Sequence, residues 1–222
     1  MSEPQLPASR SGLIIVVSAP SGGGKSSLCQ RLLNWSPHIV YSVSCTTRAP
    51  RGGEQNGHDY FFLTSDEFER RIAAGDFLEY AQYNGNYYGT PRQFVEEQLM
   101  AGRDVLLDIE VQGAAQVAKR VRGGKDFAYR ETLVMIFLLP PSLELLEARL
   151  CRRGTDSDEI IRKRLALAQQ EMTHWREYDY VVVSGHLDDD FERGKAIVIA
   201  EKCRTARTPK GGKPWQESEP SF

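Results

Sequence analysis

Ten residues near the start of the chain, Ser18-Ala-Pro-Ser-Gly-Gly-Gly-Lys-Ser-Ser27, have the chemistry of a phosphate binder. In a glycine-rich turn, successive backbone N–H groups converge on one point, and the positive end of a following helix points there too. Lys25 adds a cation beside the β- and γ-phosphates of a nucleotide, and the Ser26 hydroxyl suits Mg²⁺. The stretch fits the pattern G-x-x-x-x-G-K-[ST] with one departure, Ala19 in place of glycine. Gly22, Gly23 and Gly24 keep the loop free where phosphates approach closest. Ala19, Pro20, Ser21 and Ser27 complete the candidate ATP-binding set.

Three further clusters bear on what the phosphate loop serves. Arg48 and Arg51 stand three residues apart around a proline bend, which aims two guanidinium forks at one anion. Tyr60 and Tyr88 can add phenolic donors to the same anion. Glu79 falls in a strand-like run with apolar neighbours, where an unpaired carboxylate is costly. It therefore wants a donor pair, which guanine offers in N1–H and N2–H₂. Ser44 and Thr90 hydroxyls can donate to guanine O6. Asp108 ends an apolar run, where open α/β sheets place ligand groups, with Glu110 beside it. A carboxylate at 108 can orient a Mg²⁺ water, Lys25 or the acceptor base.

The elements that must hold these groups are short and regularly spaced. Residues 13–17, 105–107, Leu133–Leu139 and Tyr180–Val183 are nearly continuous β-formers, as in a parallel sheet covered on both faces. Helical patterns fall between them. One starts at Leu28, one follows Pro91 as its first residue, one follows Pro140-Pro141, and one runs from Ile161 to Trp175. The fold class is therefore α/β, a doubly wound core opened by a phosphate-binding loop. The stretch 40–90 breaks the alternation. It holds β-like pieces at 41–44, 60–63 and Phe77–Tyr83, a short helix near 66–74, and polar turns, so it reads as a small α+β insertion.

Composition agrees with a compact enzyme. The chain has 222 residues, 41% of them hydrophobic, and a formal net charge of -2 that suggests neither nucleic-acid nor membrane binding. Cys29, Cys45, Cys151 and Cys203 are scattered, as in a reduced cytoplasmic protein. The 13–17 run is too short for a signal core or a membrane span. Residues 1–11 and 205–222 have the chemistry of flexible ends. Oligomeric state is left open, a homo-oligomer included.

Four ordered motifs together resemble guanylate kinase in its bacterial form. They are Ser-Ala-Pro-Ser-Gly-x-Gly-Lys-Ser-Ser, Ser-Val-Ser-x-Thr-Thr-Arg-x-Pro-Arg, Gly-Asn-Tyr-Tyr-Gly-Thr and Leu-Asp-Ile-x-x-Gln-Gly, and the likeness runs from about Gly12 to Lys202. The resemblance implies a P-loop nucleoside-monophosphate-kinase core at 12–39 and 91–204, a GMP-binding insertion at 40–90 and a helical lid at about 149–164. It implies transfer of the γ-phosphoryl group from MgATP to GMP, with dGMP as a further acceptor, in purine metabolism. Ser44, Arg48, Arg51, Tyr60, Glu79, Tyr88, Thr90 and Asp108 match the GMP contacts, and Mg²⁺ sits by Ser26 with the ATP phosphates. Lys25, Arg48 and the lid arginines Arg149, Arg153 and Arg164 match charge-neutralising groups at the transfer point. Ser184-Gly185-His186 departs from the family's Asn-Asp after the last core strand, which puts the donor-base contacts in question.

Three rival classes fit the sequence less well. A guanylate-kinase-like scaffold module would bind phosphopeptides, but Lys25 and Ser26 are intact here. A kinase for a ribose phosphate would have no use for Glu79 with Ser44 and Thr90. A GTPase would carry Asn-Lys-x-Asp, and the chain has none.

Overall fold

The computed structural model describes residues 12–83, 85–124, 130–152 and 157–207. In chain order, β1 (Ile14–Ser18), α1 (Lys25–Trp35) and β2 (Ile39–Tyr41) open the core. Then come β3 (Cys45–Thr46), β4 (Phe61–Phe62), α2 (Ser65–Ala74), β5 (Phe77–Tyr83) and β6 (Asn86–Pro91). The core resumes with α3 (Arg92–Met100), β7 (Asp104–Asp108), α4 (Val111–Gly123) and β8 (Leu133–Leu139). α5 (Leu143–Arg152), α6 (Asp158–Met172), β9 (Tyr180–Val183) and α7 (Leu187–Lys202) complete the chain.

The core is a five-stranded parallel sheet in the order β2-β7-β1-β8-β9. All five residues of β1 are buried, and they alternate between two hydrophobic layers. Ile15 and Val17 face Leu28 and Leu32 of α1 and Val198 of α7. Ile14 and Val16 face Val95 and Leu99 of α3 and Val117 and Val121 of α4. A strand apolar on both faces is what a sheet covered by helices on both sides requires. In β1 and β7, Val17 pairs with Asp108, so the two ligand-bearing strand ends lie side by side.

The insertion has its own mixed sheet, β4-β3-β6-β5, and its own small core. Phe68 stacks between Phe77 at 4.3 Å and Tyr87 at 5.1 Å. Burying one such ring contributes about 1.5–3 kcal/mol. The lid helices α5 and α6 close on Leu146, Leu150, Ile161 and Ala168.

Several sequence expectations shift. Val40 and Tyr41 belong to core strand β2, not to the insertion, because they pair with Val105 and Leu106 of β7. Of the piece expected at 41–44, only Tyr41 is in a strand; residues 42–44 cross from β2 in the core sheet to β3 in the insertion's sheet. Pro91 ends β6 and caps α3 (φ -61°, ψ 118°); it is not that helix's first residue. α6 stops at Met172, and Thr173–Glu177 continue as a 3₁₀ turn. Residues 205–207, expected in the loose tail, form another 3₁₀ turn, where Arg207 pairs with buried Glu201. Arg153 lies outside the described residues, as do 1–11 and 208–222.

Candidate functional site

The phosphate loop leaves β1 at Ser18 and enters α1 at Lys25. Gly22 (φ 87°) and Gly24 (φ 99°) take left-handed backbone that side chains resist. Gly24 caps α1 without any side-chain hydrogen bond, and the first turn carries no acid. Contrast α2, whose Thr64 hydroxyl accepts the Glu67 N–H at 3.2 Å and whose first turn holds Asp66 and Glu67. The amides of α1 are thus left for an external anion. Ala19, the pattern's departure, is 6% exposed, its methyl packed in the core below the loop. A cleft of about 150 Å³ is lined by residues 19–27 with Glu110 and Glu171.

Lys25 Nζ lies 2.8 Å from Asp108 Oδ1, and the Ser26 hydroxyl is 3.4 Å from Asp108 Oδ2. The sheet order brings these groups together across 82 residues of chain. Two hard oxygen donors beside an amide nest fit Mg²⁺. Of the three roles open to Asp108, orientation of Lys25 is the one its contacts display.

Beside this cleft opens a cavity of about 640 Å³ between core, insertion and α6. It brings together Lys25, Ser26, Ser44, Tyr60, Glu79, Tyr88 and Asp108 from the expected set. Glu79 is 6% exposed and does not face solvent. Burial pushes its carboxyl above the ordinary range, partly offset by hydrogen bonds to Thr90. Thr90 is fully covered behind it, and its hydroxyl donates to Glu79 Oε1 at 2.6 Å. That proton therefore goes to Glu79, not to the cavity where a guanine O6 would lie.

Arg48 and Arg51 part company. The Arg48 guanidinium donates to Glu54 Oε1 at 2.8 Å and lies over the Tyr60 ring at 5.3 Å. Tyr60 lines the cavity, so Arg48 stands at the cavity's tyrosine end. Arg51 is exposed, and its backbone N–H donates to Glu54 Oε2 at 2.7 Å. Arg48, and then the Arg51 N–H, hold the Glu54 carboxyl below the usual range. In the sequence Glu54 is one residue of a polar turn, and a six-residue offset from Arg48 fits neither strand nor helix periodicity.

Arg149 of α5 reaches the phosphate loop, donating to Gly23 O at 3.4 Å, Ser184 Oγ at 3.3 Å and Gly185 O at 3.3 Å. Ser184 is buried and donates to Asp190 Oδ2 at 2.9 Å, while the Gly185 N–H donates to Asp190 Oδ1. The departure at 184–186 is thus a loop pinned by Asp190 against the phosphate loop. Arg164 sits half-buried on α6. From that helix, Leu167, Gln170 and Glu171 line the cavity. Glu171 also lines the phosphate-loop cleft, and burial raises its carboxyl. Glu171 carried no sequence signal, because nothing local links position 171 to the phosphate loop.

A parallel core opened by a phosphate loop, with an inserted small sheet and a helical lid, defines the nucleoside-monophosphate-kinase class of P-loop proteins. A family model for guanylate kinase matches residues 11–201. Guanylate kinase of Desulfitobacterium hafniense is 48% identical over 198 residues, spanning 89% of this chain and 94% of that protein. That of Paramagnetospirillum magneticum is 48% identical over 199 residues, spanning 90% and 89%. The crystal structure of guanylate kinase from Anaplasma phagocytophilum superposes with a TM-score of 0.70 at 36% identity, over 91% of each chain. The chain belongs to the guanylate kinase family.

Proposed function

We propose that the chain transfers the γ-phosphoryl group of MgATP to GMP, giving ADP and GDP. The observation that carries this reading is one cavity with a buried carboxylate, Glu79, in its wall and the Lys25–Asp108 pair in its lining. The α1 amides and Lys25 would hold the ATP phosphates. Ser26, with Asp108 behind it, would hold Mg²⁺, which would supply neutralising charge to the ATP phosphates. Glu79, aligned by Thr90, would accept guanine N1–H and N2–H₂. Arg48 and Arg51, with Tyr60 and Tyr88, would hold the acceptor phosphate, and Ser44 would contact the base.

Phosphoryl transfer is mostly positioning and charge neutralisation. The acceptor phosphate oxygen attacks, so no side-chain nucleophile is needed. Lys25 would neutralise charge spreading over the equatorial oxygens, joined by Arg149, Arg153 and Arg164 as the lid closes. These assigned acceptor groups read a base and a phosphate, and none is reserved for a 2′-hydroxyl. dGMP is accordingly proposed as a second acceptor.

The test is ADP formation from MgATP with GMP, dGMP, AMP, UMP, CMP and ribose 1,5-bisphosphate. GMP and dGMP should be used and the others rejected by roughly 10⁴-fold in kcat/KM, as sites built around base hydrogen bonds do. No turnover with GMP would favour a phosphopeptide-binding module instead. Equal use of AMP would remove Glu79 as the base reader.

A further inference from the structure

We propose that Gly113 sets acceptor specificity by leaving room for the Glu79 carboxylate at the position from which it reads the base. This rests on the reading of Glu79 given above. A Cβ at position 113 would stand 2.8 Å from Glu79 Oε2 and 3.2 Å from its Cδ. Both are inside the ~3.5 Å at which such atoms sit comfortably.

Backbone conformation does not call for glycine here. Gly113 lies in the first turn of α4 and is not among the positive-φ glycines. Glycine in a helix is less favourable than alanine by about 1 kcal/mol, so something other than the helix is served. What it borders is the carboxylate.

The carboxylate is also the group that would have to yield. α4 cannot retreat, because Gln116 holds both backbone polar groups of Tyr80, accepting its N–H at 3.2 Å and donating to its oxygen at 2.8 Å. Arg120 of the same helix donates to Phe77 O. These anchors flank Glu79 on β5. On its other side the Thr90 hydroxyl fixes Oε1 at 2.6 Å. A methyl at 113 therefore drives the carboxylate off Thr90 and into the cavity. The fold is spared, since a side-chain end moves and not a backbone, but the base reader is displaced.

A double-mutant cycle tests this, using Gly113→Ala, Glu79→Ala and the pair, with steady-state kinetics for GMP and ATP and thermal melts. Gly113→Ala should raise the KM for GMP by about tenfold or more, the loss of one hydrogen bond to a charged group. Its KM for ATP should stay within about twofold and its Tm should hold or rise. Added to Glu79→Ala, it should cost nothing further. Should Gly113→Ala alone fold poorly, the double variant restores folding if crowding of the carboxylate is the cause. Wild-type GMP kinetics in Gly113→Ala, or additive losses in the pair, would overturn the proposal while leaving the Glu79 reading intact. Wild-type GMP kinetics in Glu79→Ala would overturn that reading, and this proposal with it.

Discussion

On the proposed reading the cavity has a base end and a phosphate end, and the two are built differently. At the base end, Glu79 and Thr90 are paired neighbours on adjacent strands, buried, and joined by a 2.6 Å hydrogen bond. At the phosphate end, Arg48 and Arg51 sit on a turn, and an internal carboxylate, Glu54, binds the Arg48 side chain and the Arg51 backbone. Among the described residues, the contacts of the lid's Arg149 to the phosphate loop and its neighbours are long, 3.3–3.4 Å. The difference has a physical reason. A base reader gains from rigidity, because discrimination depends on fixed donors and acceptors. Groups that neutralise two polyanions repel one another when alone, so they are better assembled as the ligands arrive. On the proposed reading, specificity is in place beforehand, and charge neutralisation would be completed on binding.

The sharpest break would come at the transfer point. Lys25→Met should lower kcat by about 10²–10³-fold, the loss of a donor worth ~3–4 kcal/mol to transition-state charge. Its far-ultraviolet circular dichroism should match wild type. Retention of a tenth of wild-type turnover, in a ligand-saturated assay, would remove Lys25 from that role.

Glu79→Gln comes next. It should reduce kcat/KM for GMP by ~10–100-fold, as expected for a hydrogen bond to a charged group, and narrow the gap to AMP. ATP affinity should hold. The same change should stabilise the ligand-free protein at neutral pH. Burial raises the folded-state pKa of Glu79 above its unfolded value. Wild type then loses stability as pH rises through that raised pKa, and regains it on acidification. The Tm advantage of Glu79→Gln should therefore shrink as pH falls, which melts across an acidic-to-neutral series would read. A constant gap would mean the carboxyl is not strained by burial.

At the phosphate end the effects should be smaller, because several groups share the anion. Arg48→Lys should raise the KM for GMP by roughly tenfold through loss of the fork, with kcat less affected. Arg51→Lys should do so by less, since Arg51 is exposed. Wild-type behaviour in both would make these arginines bystanders.

What could be read from the sequence follows the same division. The phosphate loop was legible because strand, glycines, lysine and helix are contiguous. Glu79 was legible as a charge among strand-forming apolar residues. β2 was missed as a core strand because three residues at a sheet edge, with Tyr41 exposed, carry almost no pattern. α4 was missed because its inward face is small: Gly113 and Ala114 precede Val117 and Val121. That smallness is what lets the helix lie against Glu79. Glu54 and Glu171 were missed because composition and spacing point to neither the Glu54 pairing with the Arg48 guanidinium nor the place of Glu171 in the phosphate-loop cleft.

Amide hydrogen exchange in four states tests the contrast between the two ends most directly: ligand-free, with GMP, with a non-hydrolysable ATP analogue, and with both. The amides of β5 and β6 should be well protected in all four. Those of residues 48–54, of α5 and of α6 should gain protection, with the largest gain for α5 and α6 only when both nucleotides are bound. Equal protection of α5 and α6 in every state, or protection of β5 and β6 that appears only with GMP, would contradict the account.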